Sequence, residues 1–325
     1  TYLSSKAGNV SELYRIAFLD SCGNSSPQML EHQTIHLSAT FDICAGTAKL
    51  TWNKYISWLP PANQYQILKS VDGGASFSVI ASTSNTYYTD TGLAMGISYC
   101  YKIRAMNGSG TGYKTSASND TCFTANSLQG PKFTYNRFAT VLSDKSILIK
   151  AHADPAPDVS YYRLQRETIG SGGIPTYTIF PKVDNVKTIT HTDGSVITSA
   201  NSYAYKWEAI NSCHKVIQTS NIDTTMLLTA SIAPDLDITL SWNDYGSWLG
   251  KVDHYDIYRA VDGTWDPAPI GTVSYSVKGG TYTDDVAPFL SSKGIFSYYV
   301  VAVEGKGDTF GFTDSSASNI ITIYE

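Results

Sequence analysis

Five cysteines, six histidines and 28 carboxylates are the residues of this 325-residue chain that could react or ligate. Cys100 opens one strand-like stretch and Cys122 lies near the end of the next. A hairpin centred on Thr111 sets the two opposite each other. Directly opposed residues of a non-hydrogen-bonded pair have Cα atoms about 4.5 Å apart, within disulfide range. A Cys100–Cys122 bridge is therefore expected, with Cys44, at the same pole, as the rival partner and five inert thiols as the alternative. Closing that loop is worth about 3 kcal/mol and fits an oxidising, exported setting. Cys22 and Cys213 fall in equivalent loops at the opposite pole, and a Cys22–Cys44 bridge would have to span most of a domain.

The other reactive types do not assemble into a motif. His32 and His36 are close in sequence but lie on a strand, and no Cys/His spacing suits zinc. Asp193-Gly194-Ser195 is a turn without the Gly-x-Ser-x-Gly elbow. Asp284-Asp285 could be imagined as a glycosidase pair, yet it adjoins a turn. Asp72-Gly73-Gly74 and Asp262-Gly263 offer too few oxygens for calcium and read as hairpin turns. The acceptor sequons at Asn9, Asn24, Asn107 and Asn119 read as chance matches. No catalytic residue, metal ligand or cofactor is assigned.

Two tryptophans need an explanation of their own. Trp58 and Trp248 follow Trp52 and Trp242 by six residues. The earlier pair belong to alternating strands and read as core. The later pair fall in the loop that faces the preceding domain. They are expected to pack across that joint, where burying one flank supplies about 2 kcal/mol. The rival reading is an aromatic platform for sugar, which Trp265 could share. At the corresponding place the third repeat has Pro155 and Pro157, with residues 126–130 ahead of it, so its joint with the repeat before it is expected to be the least restrained.

The elements that would position these residues are strands. Tyr99 to Ala105 alternates, with Tyr99, Tyr101 and Ile103 on one side and Cys100, Lys102 and Arg104 on the other, the mark of a half-buried strand. The pattern returns at Leu13–Ile16, Tyr203–Ala209 and Phe296–Ala302. Other strands recur in register with it: Lys49–Asn53 with Asp237–Asn243, Tyr65–Lys69 with Tyr255–Arg259, Tyr88-Thr89-Asp90 with Tyr282-Thr283-Asp284. No stretch keeps a helical period, so almost no helix is predicted. Seven short strands per roughly 100 residues is the count of an immunoglobulin-like sandwich.

The expected architecture is all-β: tandem sandwiches in an extended rod. Residues 1–39 read as the C-terminal part of a domain, with strands at Glu12–Leu19 and Gln33–Ser38. Complete domains follow at 40–126, at 127–230 in divergent form with a long Gly170–Gly173 tip, and at 231–325. Strands of about ten residues span roughly 34 Å, so each domain adds a little more than that.

The strand order resembles fibronectin type III. The wording "LTWNKYISW" and "LSWNDYGSW", "YQILKSVDGG" and "YDIYRAVDG", "YCYKIRA", "LDSCGNSS" and "SASN" resembles the repeats of large Bacteroidetes surface proteins, which often end in a gliding-motility-associated or type IX secretion sorting domain. The resemblance implies a secreted or cell-surface stalk or adhesion segment, not an enzyme. Its partners would be other domains of the same chain, cell-surface or secretion proteins, or polysaccharide. The second reading is a carbohydrate-binding module or a spacer attached to a secreted glycoside hydrolase.

Composition narrows the partners further. Apolar residues make up 42% of the chain, enough for cores, and 23 tyrosines favour pleated half-buried surfaces. A net charge of −5 argues against a nucleic-acid surface and against an anionic membrane. No apolar run is long enough to span a bilayer.

Overall fold

The computed structural model describes residues 5–108, 114–156, 158–169, 176–181, 187–234, 236–246, 248–289 and 294–324. Thr111, Pro157 and the Gly170–Gly173 tip lie outside the described residues. The chain forms two compact units, Thr1–Leu128 and Gln129–Glu325. Among the described residues the elements are strands apart from one 3-10 turn at Ala287–Phe289.

In the first unit, Thr47–Trp52 is the middle of a three-strand sheet between Leu37–Asp42 and Tyr87–Asp90. The facing sheet runs Ser78–Thr83, Gln64–Ser70, Ser98–Met106, and then Thr115–Ala117 and Thr121–Thr124 on its far edge. Alternation decides what lies between the sheets. Leu50, Ile67, Tyr101 and Ile103 are fully buried, and Trp52 and Tyr65 nearly so. The second unit repeats this plan twice, with middle strands Ser146–Ala153 and Ile238–Trp242 in the three-strand sheets. The long central pairs of the facing sheets are Val159–Ile169 with Ser202–Asn211, and Val252–Val261 with Ile295–Glu304. Three strands face a larger sheet of five or six segments whose last strand is broken in two, and with the hairpin after the Tyr strand on that larger sheet this is the fibronectin type III arrangement of the sandwich.

Strand pairing places two domain starts earlier than the repeated strand pattern does. Leu37–Asp42 pairs with Thr47–Trp52, so it opens the second domain instead of closing the piece before it. Leu228–Ile232 likewise pairs with Ile238–Trp242 and opens the last domain. In each case the middle strand would otherwise leave one edge of backbone groups without a partner. In the leading piece the pairing is shorter than the alternation suggests: Leu13–Tyr14 meets only His32–Gln33. Ile16, Phe18, Leu19, Met29 and Leu30 there are exposed.

Two side-chain devices recur in all three sandwiches and explain repeated wording. An Asp ending the third strand of the smaller sheet accepts from a buried Tyr hydroxyl of the larger sheet and pairs with a cation beside it. The sets are Asp90 with Tyr101 (2.7 Å) and Lys69 (2.8 Å), Asp193 with Tyr205 (3.0 Å) and Arg166 (2.7 Å), and Asp284 with Tyr298 (2.7 Å) and Arg259 (3.1 Å). Each set ties one sheet to the other. The Ser-Asn of the last loop does the same at the opposite edge. Asn119 accepts from the Leu37 amide at 2.7 Å and donates to the Leu37 carbonyl at 3.1 Å. Asn221 clamps Asn136, and Asn319 clamps Leu228, in the same two-bond manner.

Candidate functional site

Within the second unit the two sandwiches meet at a joint built from both sequence patterns and loop residues. Trp248 and Tyr245 lie in the loop after the Ile238–Trp242 strand, their rings 4.4 Å apart. Tyr245 is held from below, its amide donating to the Tyr255 hydroxyl at 3.1 Å. Its own hydroxyl accepts from the Ala139 amide of the preceding sandwich at 2.9 Å. The Trp248 indole N–H donates to the Arg137 carbonyl. Phe138, between them, packs on the core of the last sandwich.

The other wall of the joint comes from the loop before Ser315. Arg137 makes a two-pronged pair with Asp314, at 2.8 Å from Nε and 2.7 Å from Nη2. Its guanidinium lies 3.6 Å over the Phe312 ring. Phe310 packs on Phe133 at 4.5 Å and on Tyr135 at 5.5 Å. Ser316 donates to the Ala139 carbonyl at 2.8 Å, and the Ala317 amide donates to Thr140 at 2.8 Å. Strand Thr134–Ser143 is thus held along its length by the next domain.

Carboxylates buried at this joint have altered acidity. Burial, then the nearby charges of Glu304 and Asp314, push the Asp223 carboxyl well above its usual range. Burial also raises Glu304, against hydrogen bonds from the Asp314 and Gly250 amides. Burial and the Asp223 charge raise the Tyr245 hydroxyl. These groups are locked into packing between the two sandwiches.

Trp58 occupies the matching position in the first unit. Its ring is 4.2 Å from Tyr55, whose amide donates to the Tyr65 hydroxyl at 3.2 Å. The Tyr55 hydroxyl lies 3.1 Å from His32 Nδ1 of the leading piece. Trp58 is 7% exposed and Trp248 4%, so neither presents a flat face to a sugar. Tyr55 and Tyr245 carry as much of these contacts as the tryptophans. Both stand in the quoted "LTWNKYISW" and "LSWNDYGSW", where their repetition was the available signal. Arg137, Phe310 and Asp314 have no such repeat to mark them.

Cys100 and Cys122 face each other directly in the ladder between Ser98–Met106 and Thr121–Thr124, and are bonded, 22 residues apart in sequence. Cys22 is exposed and free. Asp284 is committed to Tyr298 and Arg259, and Asp72 accepts from the Ser76 amide at 3.0 Å within its own turn. Ser195 donates its amide to Asp193 at 2.9 Å. Among the described residues no group of His, Cys, Asp and Glu is arranged to hold a metal ion, and no helix is long and apolar enough to cross a membrane.

No family model matches the chain, and no curated protein matches it. Among solved structures, the chain is similar to the crystal structure of the chicken CNTN1 FN1-FN3 domains. The match covers 89% of this chain and 96% of that one at 16% identity, with a TM-score of 0.26. The fold assignment rests on the strand pairing and not on this likeness.

Proposed function

We propose that the chain is a non-catalytic stalk or adhesion segment of a secreted or cell-surface bacterial protein. The observation that carries this reading is the joint of the second unit. Its aromatic and charged side chains serve to fix one sandwich on the next, the arrangement a spacer needs to transmit position along stacked repeats. The Cys100–Cys122 bond supports an oxidising, non-cytoplasmic setting. A place in gliding motility or type IX export is the finer proposal, and it follows from the repeat wording alone. The test compares cells displaying the parent protein with and without residues 129–325 at matched surface levels. Attachment to a substratum should fall when the segment is removed. Unchanged attachment, or turnover of a glycoside or peptide substrate by the purified chain, overturns the reading.

A further inference from the structure

The outer face of the larger sheet in the last sandwich carries an aromatic group that the core does not use. Tyr258 and Tyr299 sit opposite each other on the two central strands. Their rings stack 4.7 Å apart and 3° from parallel. Their neighbours Ile257, Tyr298 and Val300 are fully buried, so alternation turns 258 and 299 outward. Trp265, on the edge strand, sets its ring at 69° to Tyr299 with centroids 4.8 Å apart, and it remains 39% exposed. A cross-strand aromatic pair steadies a sheet. That accounts for the two tyrosines, but not for an exposed indole added beside them.

Tyr299 is also one wall of a cleft of about 250 Å³. Leu142, Ser143 and Asp144 of the preceding sandwich and residues 318–320 line it with Tyr299. The ends of the aromatic face are polar. At one end Ser297 and Thr322 share a hydrogen bond of 2.9 Å, and at the other Asp256 accepts from Thr272 at 2.9 Å.

We propose that this face and cleft bind a neutral glycan chain, one ring resting its C–H face on the exposed Trp265 indole, which Tyr299 buttresses at 69°, and a neighbouring ring entering the cleft that Tyr299 shares with Ser143 and Asp144. Flat aromatic surface takes the apolar face of a pyranose, while carboxylates and hydroxyls at its margin take the hydroxyls. The cleft is smaller than the roughly 300–1,000 Å³ of a drug-sized pocket and suits a single ring. Asp144, Asp256 and the net charge of −5 disfavour uronic-acid polymers. A proline-rich peptide needs a groove between aromatic ridges, and the 4.7 Å stack closes the space between the two tyrosines. The proposal goes beyond the stalk reading: without a glycan the repeats still act as a spacer.

Isothermal titration of the full chain with cellohexaose, laminarihexaose and mannohexaose at millimolar concentration tests it. At least one hexasaccharide should bind. Trp265→Ala and Tyr299→Ala should each weaken it tenfold or more, while Tyr87→Ala, an exposed tyrosine of the first unit, leaves it unchanged. Trp265 is peripheral to the core, so its variant keeps the test valid if Tyr299→Ala fails to fold. The proposal is overturned if all three sugars give no heat, if binding survives both platform variants, or if polygalacturonate or a proline-rich dodecapeptide binds there in their place.

Discussion

Asp223 has its carboxyl fully buried, with Oδ2 lacking a hydrogen-bond partner among the described residues. Burial and the charges of Glu304 and Asp314 raise its pKa from 3.8. The folded state therefore holds a proton that the unfolded chain releases. Stability from this group is complete below about pH 4 and is lost as pH rises through the raised value, with a slope approaching 1.4 kcal/mol per pH unit. Asp193 acts in the opposite sense. Burial opposes its ionisation, but bonds from the Ser195 amide, Arg166 and Tyr205 outweigh that and hold it below the usual range. Its contribution is present above about pH 4 and lost in acid. Asp223→Asn should flatten the fall in stability above about pH 4, leaving the part due to Glu304. Urea unfolding at a series of pH values measures it, and an unchanged slope would refute the assignment to Asp223.

At the scale of elements, the disulfide and the Asn clamps secure strands at sheet edges. Cys100 and Cys122 join Ser98–Met106 to Thr121–Thr124. A loop of this length is worth about 3 kcal/mol of unfolded-state entropy. C100A/C122A should lower the stability of the first unit by that order and leave the second unit's transition in place, as read by calorimetry. A loss below 1 kcal/mol would mean that the clamp of Asn119 on Leu37 suffices. The Cys pairing could be argued from the sequence because hairpin register depends only on where two alternating runs face each other. The clamp could not. "SASN" was visible as a repeat, but its Asn reaches a strand 82 residues away in the other sheet.

For the molecule as a whole, the consequential contacts are those that make two sandwiches melt as one. In calorimetry of the full chain the domains of the second unit should unfold in a single transition. Arg137→Ala leaves the partly buried Asp314 without its partner, a loss of about 1–3 kcal/mol, and should split that transition in two. Arg137→Lys should rescue it only in part, since a lysine cannot make the two-pronged bond or lie flat on Phe312. A single transition in both variants would show that the Trp248 and Tyr245 contacts suffice without the ion pair.

The sequence by itself determined the all-β class, the repeat, the core positions and the turns. These follow from a period of two and from local turn chemistry, both written within a few residues of one another. Only the tertiary structure decided which domain each first strand joins, that Trp58 and Trp248 are buried, and that Tyr258, Tyr299 and Trp265 share an outer face. Those outcomes depend on residues far apart in the chain, such as Arg137 and Asp314, 177 positions apart. Long-range packing selects such partners, and no local pattern records the choice.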